Sequence, residues 1–197
     1  MTGRVPVHEL AAQIRGVTYK AAEASTTPQS GTVGVVRAGN IVDGELKIDD
    51  LVFVPALRVS KDQWLKKGDV LIATSSGSLD VVGKAARIRR DEGVAFGAFC
   101  KVLRPGPQID SGYFAHFFQT KPYRQYVSRV AAGSNINNLK KGDLDNIEIP
   151  LPPIEEQRRI AAILDGAEAL RELHFEAIRI IDILYGGLSQ RAFRGEL

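Results

Sequence analysis

Ile149-Pro150-Leu151-Pro152-Pro153-Ile154-Glu155-Glu156-Gln157-Arg158-Arg159-Ile160 is the stretch on which the fold of this 197-residue chain turns. All nine prolines lie at or before Pro153. Pro153 suits the first position of a helix, and Glu155 and Glu156 suit its positive end. Arg191 and Arg194, followed by Gly195, suit its negative end. One long terminal helix is therefore expected from Pro153 onward. Stepping by seven from Ile160 gives Ile160, Ala167, His174, Ile181 and Leu188; stepping from Ile163 gives Ile163, Leu170, Ala177 and Leu184. These are the a and d positions of a coiled coil, with His174 at an a position where a polar side chain sets register. Leu164, Leu173, Ile178 and Ile180 widen the stripe beyond a minimal seam, which asks for more than one packing partner. Gly166 and Gly186-Gly187 each cost up to about 1 kcal/mol relative to alanine, so a bend or an end is expected there. About 40 residues at a 1.5 Å rise extend about 60 Å, too far for the rest of the chain to cover. The stripe needs a helix from outside, from a second copy or another protein.

Upstream of the junction, short apolar runs alternate with Gly, Asn, Asp and Ser, the pattern of short strands joined by turns. Strands are expected at Thr32 to Arg37, Leu51 to Val54, Asp69 to Thr74, Gly83 to Ile88, Phe99 to Leu103 and Asn146 to Ile149. Turns fall at Ala38-Gly39-Asn40, Asp43-Gly44, Lys67-Gly68-Asp69, Ser76-Gly77 and Arg104-Pro105-Gly106-Pro107. Two helices are expected here, from Pro6 to about Gln13 and from Ser111 to about Val130 with a bend at Pro122. The aromatic residues of the second, among them Tyr113, Phe114, Phe117 and Phe118, follow helical spacing and read as core. The expected class is α+β: a globular domain of short, mostly antiparallel strands over residues 1–152, then a helical spacer over 153–197.

The formal net charge of +3 and a hydrophobic content of 44% describe an ordinary globular chain, not a disordered tail. No run of about 18 apolar residues is present, and the N-terminus lacks a signal-peptide core, so a soluble cytoplasmic protein with no membrane association is expected. Cys100 is the single cysteine and reads as a buried small hydrophobe. The charge is uneven. The terminal helix holds 6 of the 26 basic and 8 of the 23 acidic residues, net −2, which leaves 20 and 15, net +5, for the globular part. The surplus positive charge therefore belongs to the part that would meet phosphate.

Four segments combine cations with small polar side chains, the vocabulary for phosphates and base edges. They are Arg15 to Lys20, Thr74 to Lys84, Gly133 to Lys141, and Arg37 with Asn40 at a strand end. Arg37, Asn40, Ser75, Ser78, Asn135 and Asn137 are the candidates for base readout, supported by Tyr19, Ser76 and Ser134. Lys20, Lys84, Lys140 and Lys141 are the candidates for phosphate contact. Enzymatic signatures are missing. The Pro152-Pro153 pair has neither the preceding Asn or Asp nor the following aromatic of an amino-methyltransferase turn. Glu45-Leu46-Lys47 matches a nuclease fragment, but Asp43 lies too close to serve as its partner and a surface turn is expected. The chain has no P-loop and no Cys/His set with zinc spacing, so neither cofactor nor metal is expected. From the residues alone three readings stand: a DNA-binding module, a coiled-coil assembly protein whose globular part binds protein, or a fused or orphan enzyme.

Three stretches together resemble the specificity subunit of type I restriction-modification systems: Leu71 to Ser78 with Val82-Gly83-Lys84-Ala85, Asn135 to Lys140, and Ile149 to Ile160 with Ile163-Leu164-Asp165. Arg37-Ala38-Gly39-Asn40-Ile41 and Lys67-Gly68-Asp69-Val70-Leu71 fit as well, so the resemblance spans essentially the whole chain. It implies two target recognition domains per subunit, each followed by a helix, with the helices paired antiparallel. This chain carries one of each and so resembles a half-length form that dimerises through its helix with itself or with another half-subunit. The resemblance further implies a non-catalytic protein that reads half of a bipartite site on double-stranded DNA. Catalysis would lie in separate methyltransferase and restriction subunits, docked on surface such as Leu164, Leu173 and Ile178.

Overall fold

A computed structural model describes residues 3–132 and 138–197. The chain enters through β1 (Arg4–Pro6), a single helical turn α1 (Val7–Leu10) and β2 (Ala11–Arg15). Strands β3 (Thr32–Val36), β4 (Ile41–Val42), β5 (Glu45–Leu46) and β6 (Val52–Pro55) follow. Next come β7 (Val70–Ala73), β8 (Ala85–Arg87), β9 (Ala95–Phe96) and β10 (Cys100–Pro105). Helices α2 (Ser111–Phe117), α3 (Lys121–Ala132) and α4 (Lys141–Asp145) then lead through β11 (Glu148–Pro150) into α5 (Ile154–Phe193). The class is α+β, and the expected strands are present to within a residue or two.

The central sheet runs β2-β10-β7-β8, all antiparallel. Its strands are apolar on both faces because both are covered. Leu71, Ala73, Ala86, Cys100 and Val102 point into one core, shared with Val36, Ile41, Leu65 and Phe96. Val70, Ile72, Ala85 and Leu103 point into the other, against Phe114, Phe118, Tyr123, Val127 and Leu144 of the helices. This double burial explains why the β7 segment reads as a continuous apolar run instead of an alternation. A second sheet, β6-β3-β9, pairs β3 antiparallel to β6 and parallel to β9, and its outer side carries a third core of Val17, Val33, Val35, Val54 and Ala95. Cys100 is fully buried, and burial pushes its thiol up to about 12. The aromatic stripe is core, with Phe114, Phe118 and Tyr123 joined edge-to-face at centroid distances of 5.0 Å.

Several local expectations are corrected. The helix expected from Pro6 to Gln13 is only the single turn α1. From Ala11 the chain is extended, since β2 gains a five-residue ladder on β10 that outweighs local helical preference. The long helix from Ser111 does not bend at Pro122 but breaks earlier. Phe118 ends α2, and Pro122 sits in the first turn of α3, where a missing N–H costs nothing. Pro153 is the N-cap of α5 and not its first helical residue, whereas Glu155 and Glu156 occupy the first turn and Arg191 the last, as expected. The helix runs unbroken past Gly166 and Gly186-Gly187. Asp43-Gly44 is the two-residue turn of a hairpin joining β4 to β5, with φ +50° and +87°. Both central residues in the left-handed region match the twist of the flanking strands and favour the Asp-Gly pair.

Candidate nucleic-acid interface

The turn after β3 opens a cleft of about 640 Å³ on the globular part. Arg37, Gly39, Asn40, Lys47, Ser75, Ser76 and Phe99 are among its lining residues. Two of the four polar segments picked from the sequence, Arg37 with Asn40 and Thr74 to Lys84, line it. Ser75 forms an antiparallel bridge with Asn138, and the Leu139 N–H donates to the Thr74 carbonyl at 2.8 Å, so the segment ending in Lys141 is tied beside the one holding Ser75 and Ser76.

The side chains in the cleft differ in what they have left to offer. Asn40 is only 5% exposed. Its carbonyl oxygen accepts from the Arg37 N–H at 2.7 Å, and its amide donates to the Asp49 carbonyl at 2.7 Å. Asn40 shapes the turn that presents Arg37, and both polar atoms of its buried side chain are engaged within the chain. Arg37 is exposed and leans on Asp50 through a 3.0 Å ion pair, one that an exposed carboxylate holds weakly. Ser75 and Ser76 are half-buried on the rim, and the Ser76 hydroxyl accepts from the Ser78 N–H at 3.2 Å.

The remaining candidates lie elsewhere. Lys84 is exposed in a neighbouring hollow with Arg124 and Arg171, separated from the cleft by the β4–β5 hairpin; Lys47 borders both. Tyr19 is half-buried against the third core, and Lys20 is exposed beyond it. Lys140 and Lys141 are exposed at the start of α4, with Lys141 paired to Asp145. Ser134, Asn135 and Asn137 lie outside the described residues.

The first turns of α5 are anchored on α2. Buried Gln157 accepts from the Asp110 N–H at 2.8 Å and donates to the Pro152 carbonyl at 2.8 Å. Gly112 faces Ala161 so closely that a Cβ there would lie 3.2 Å from the Ala161 methyl and 2.8 Å from an Arg87 nitrogen. One turn further, Asp165 receives Arg87 at 2.5 Å and His116 at 2.8 Å, while Glu168 receives Arg89 at 2.8 Å. Burial alone would raise the Asp165 carboxyl; the His116 hydrogen bond and the Arg87 charge outweigh it and hold the group below its usual range. His116, Asp165 and Glu168 have the proximity of a metal-ligand set. Their carboxylates are already neutralised by two guanidinium groups, so the cluster acts as a clamp holding helix to sheet.

Beyond Glu168, Arg171, Glu172 and Phe175 still border the hollow that holds Lys84 and Arg124, and the apolar residues of α5 become exposed. Ile163, Leu170, Ile181, Leu184 and Leu188 stand half or more exposed, as do Leu173, Phe175, Ile178 and Tyr185. Ala167, His174 and Ala177 are exposed among them, whereas Ile160 and Leu164 border an apolar hollow beside Tyr113 and Phe117. No helix among the described residues is long and apolar enough to cross a membrane.

The model of the type I restriction modification DNA specificity domain matches residues 9–179. The chain belongs to this specificity family. Among the relatives it resembles, the type I restriction enzyme EcoKI specificity subunit of Escherichia coli strain K12 is 45% identical over 160 residues, covering 81% of this chain and 34% of that one. The StySPI specificity subunit of Salmonella potsdam is 44% identical over 160 residues, covering 81% of this chain and 35% of that one. The chain thus spans about a third of the length of these curated relatives. In three dimensions it is similar to the crystal structure of the HsdS subunit from Thermoanaerobacter tengcongensis. That match has a TM-score of 0.66 and 21% identity, over 99% of this chain and 45% of that one. A likeness to the type I system S subunit from M. genitalium has a TM-score of 0.59 at 16% identity, over 91% of this chain and 43% of that one. These structural matches establish a shared specificity-subunit fold.

Two lining residues, Lys47 and Phe99, were not among the sequence candidates. Phe99 had a signal in the strand that follows it: with Cys100 and Val102 facing one core, Phe99 falls on the alternate side, past the end of the covered face. Lys47 had none, because a lysine after a hairpin is an ordinary surface residue.

Proposed function

We propose that the globular part binds double-stranded DNA and reads one half of a bipartite target. We further propose that α5 pairs antiparallel with the α5 of a second copy or of another half-subunit. The pair would hold methyltransferase and restriction subunits on cytoplasmic DNA, with catalysis in those subunits and none in this chain. The observation that carries the reading is the convergence of Arg37, Ser75, Ser76 and Lys47 on one cleft of the net-positive part of the chain. Arginine and serine suit base edges and phosphates, and lysine suits phosphate.

The heptads supply a register for the pairing. Antiparallel coils place a against d, which sets Ile160 opposite Leu184, Ile163 opposite Ile181, Ala167 opposite Ala177 and Leu170 opposite His174. Helices of about 60 Å hold the two reading heads within that distance. With about 34 Å per DNA turn, the half-sites lie less than two turns apart.

Titration of the full chain with duplex DNA between 50 and 200 mM salt tests the DNA reading: binding should fall by orders of magnitude over that range. Replacing Lys140 and Lys141 with alanine should reduce the slope by about one to two units. Absence of binding even with a methyltransferase partner present would favour the protein-binding assembly. The pairing is tested by disulfide formation in an Ile163→Cys/Ile181→Cys variant. Intermolecular bonds that need both cysteines mark the antiparallel register, whereas bonds in either single variant mark a parallel pair.

A further inference from the structure

Phe99 stands out among the cleft residues. Its ring is 69% exposed, at the boundary between a turn and β10. Scattered exposed apolar side chains need no explanation, but this one is displayed by a rigid mount. Its carbonyl accepts from the Thr74 N–H at 2.8 Å, from the Ser75 N–H at 3.1 Å and from the Thr74 hydroxyl at 3.1 Å. The next residue, Cys100, is fully buried, and its N–H donates to the Gly97 carbonyl at 2.9 Å. The backbone on the C-terminal side of Phe99 is thus fixed to buried residues, while the ring lines the cleft with Arg37, Ser75 and Ser76. The same carbonyl ties the ring to the loop that presents Ser75, so apolar and polar groups are held in one frame.

Those neighbours address base edges and phosphates by hydrogen bonding, and the other apolar side chains on the lining, Ala38 and Val42, are smaller than the ring. The one apolar group on a base edge in the major groove is the thymine 5-methyl, and phenylalanine is among the side chains that meet it. The ring lines the cleft beside these hydrogen-bonding groups, so a base edge that meets them would also meet the ring. We propose that Phe99 is a specificity-determining residue that contacts a thymine methyl at one position of the half-site. This rests on the DNA reading above.

The test is selection from a random 40-base-pair duplex pool, with the full chain and with Phe99→Ala. The original chain should enrich a motif containing thymine at a fixed position, and the variant should lose the preference at that position while keeping the rest. In the enriched duplex, replacing that thymine by uracil removes only the methyl. It should weaken the original chain by about 3- to 10-fold, the scale of one buried methyl group, and leave the variant unchanged. An unaltered motif in the variant, or equal sensitivity of both proteins to uracil, would overturn the role of Phe99 while the DNA reading stood. Failure of the original chain to enrich any motif would overturn both. Because the ring is exposed, the variant should melt with the original chain, which separates a lost contact from a lost fold.

Discussion

The globular part and the outer two-thirds of α5 use the same side chains to opposite ends. In the globular part, leucine, isoleucine and valine are buried on both faces of the β2-β10-β7-β8 sheet, and buried charge is matched. Asp69, 1% exposed, is held by Arg104 at 2.7 and 2.8 Å, and Arg104 also reaches the Trp64 carbonyl at 2.9 Å. Beyond Glu168, the leucine and isoleucine side chains of α5 are about half or more exposed. The first region is stabilised by contacts within the chain, whereas the second leaves its apolar side chains exposed. The clamp of Arg87, Arg89, His116, Asp165 and Glu168 marks the boundary.

Breaking the matched charge should have the largest effect. Arg104→Ala leaves Asp69 buried without its cation and should cost about 3–5 kcal/mol. Urea unfolding followed by the fluorescence of Trp64, the single tryptophan, measures it. Loosening the boundary should cost less. Asp165→Asn removes the carboxylate that Arg87 and His116 share, and about 1–2 kcal/mol is expected after allowing for its part exposure. Faster hydrogen exchange in the first four turns of α5, with the sheet unchanged, is the readout. Because the folded-state carboxyl titrates below its usual range, its contribution is complete above that range and is lost as pH falls through the lowered value. Protection at the start of α5 should therefore drop below about pH 4 in the original chain. That acid step should be smaller in Asp165→Asn. The outer helix should be the least sensitive to stability measurements. Ile181→Asp should change the unfolding of the globular part by less than about 0.5 kcal/mol, as expected of an exposed site. It should nevertheless abolish self-association in sedimentation velocity. A large loss of stability would mean that the stripe packs on its own globular part after all.

The long helix was legible because its code is local: a proline-free run, acidic first turn, basic last turn and a seven-residue repeat can be read without knowing what lies opposite. The glycine pair at 186–187 misled for the same reason, since a propensity of about 1 kcal/mol per residue is small against the whole of a 40-residue helix. The strands were legible from apolar runs and turn residues, but the antiparallel β2 was not, because its pairing to β10 depends on residues about 90 positions away. At the candidate site two of the polar loops share a cleft, yet Asn40, offered for base contact, is 5% exposed with both polar side-chain atoms bonded within the chain. The clamp was invisible for a related reason: His116 and Asp165 are 49 residues apart and belong to different helices.

The sequence alone was enough for the α+β class and for a long terminal helix with an apolar stripe. Both follow from periodicity and charge, properties of neighbouring residues along the backbone. Only the tertiary structure decided which loops share a cleft, which of their side chains are already spent on the fold, and that an aromatic ring is held out among them. Hydrogen-bonding capacity is finite, and how much of it remains for a ligand is known only once every partner within the chain has been placed.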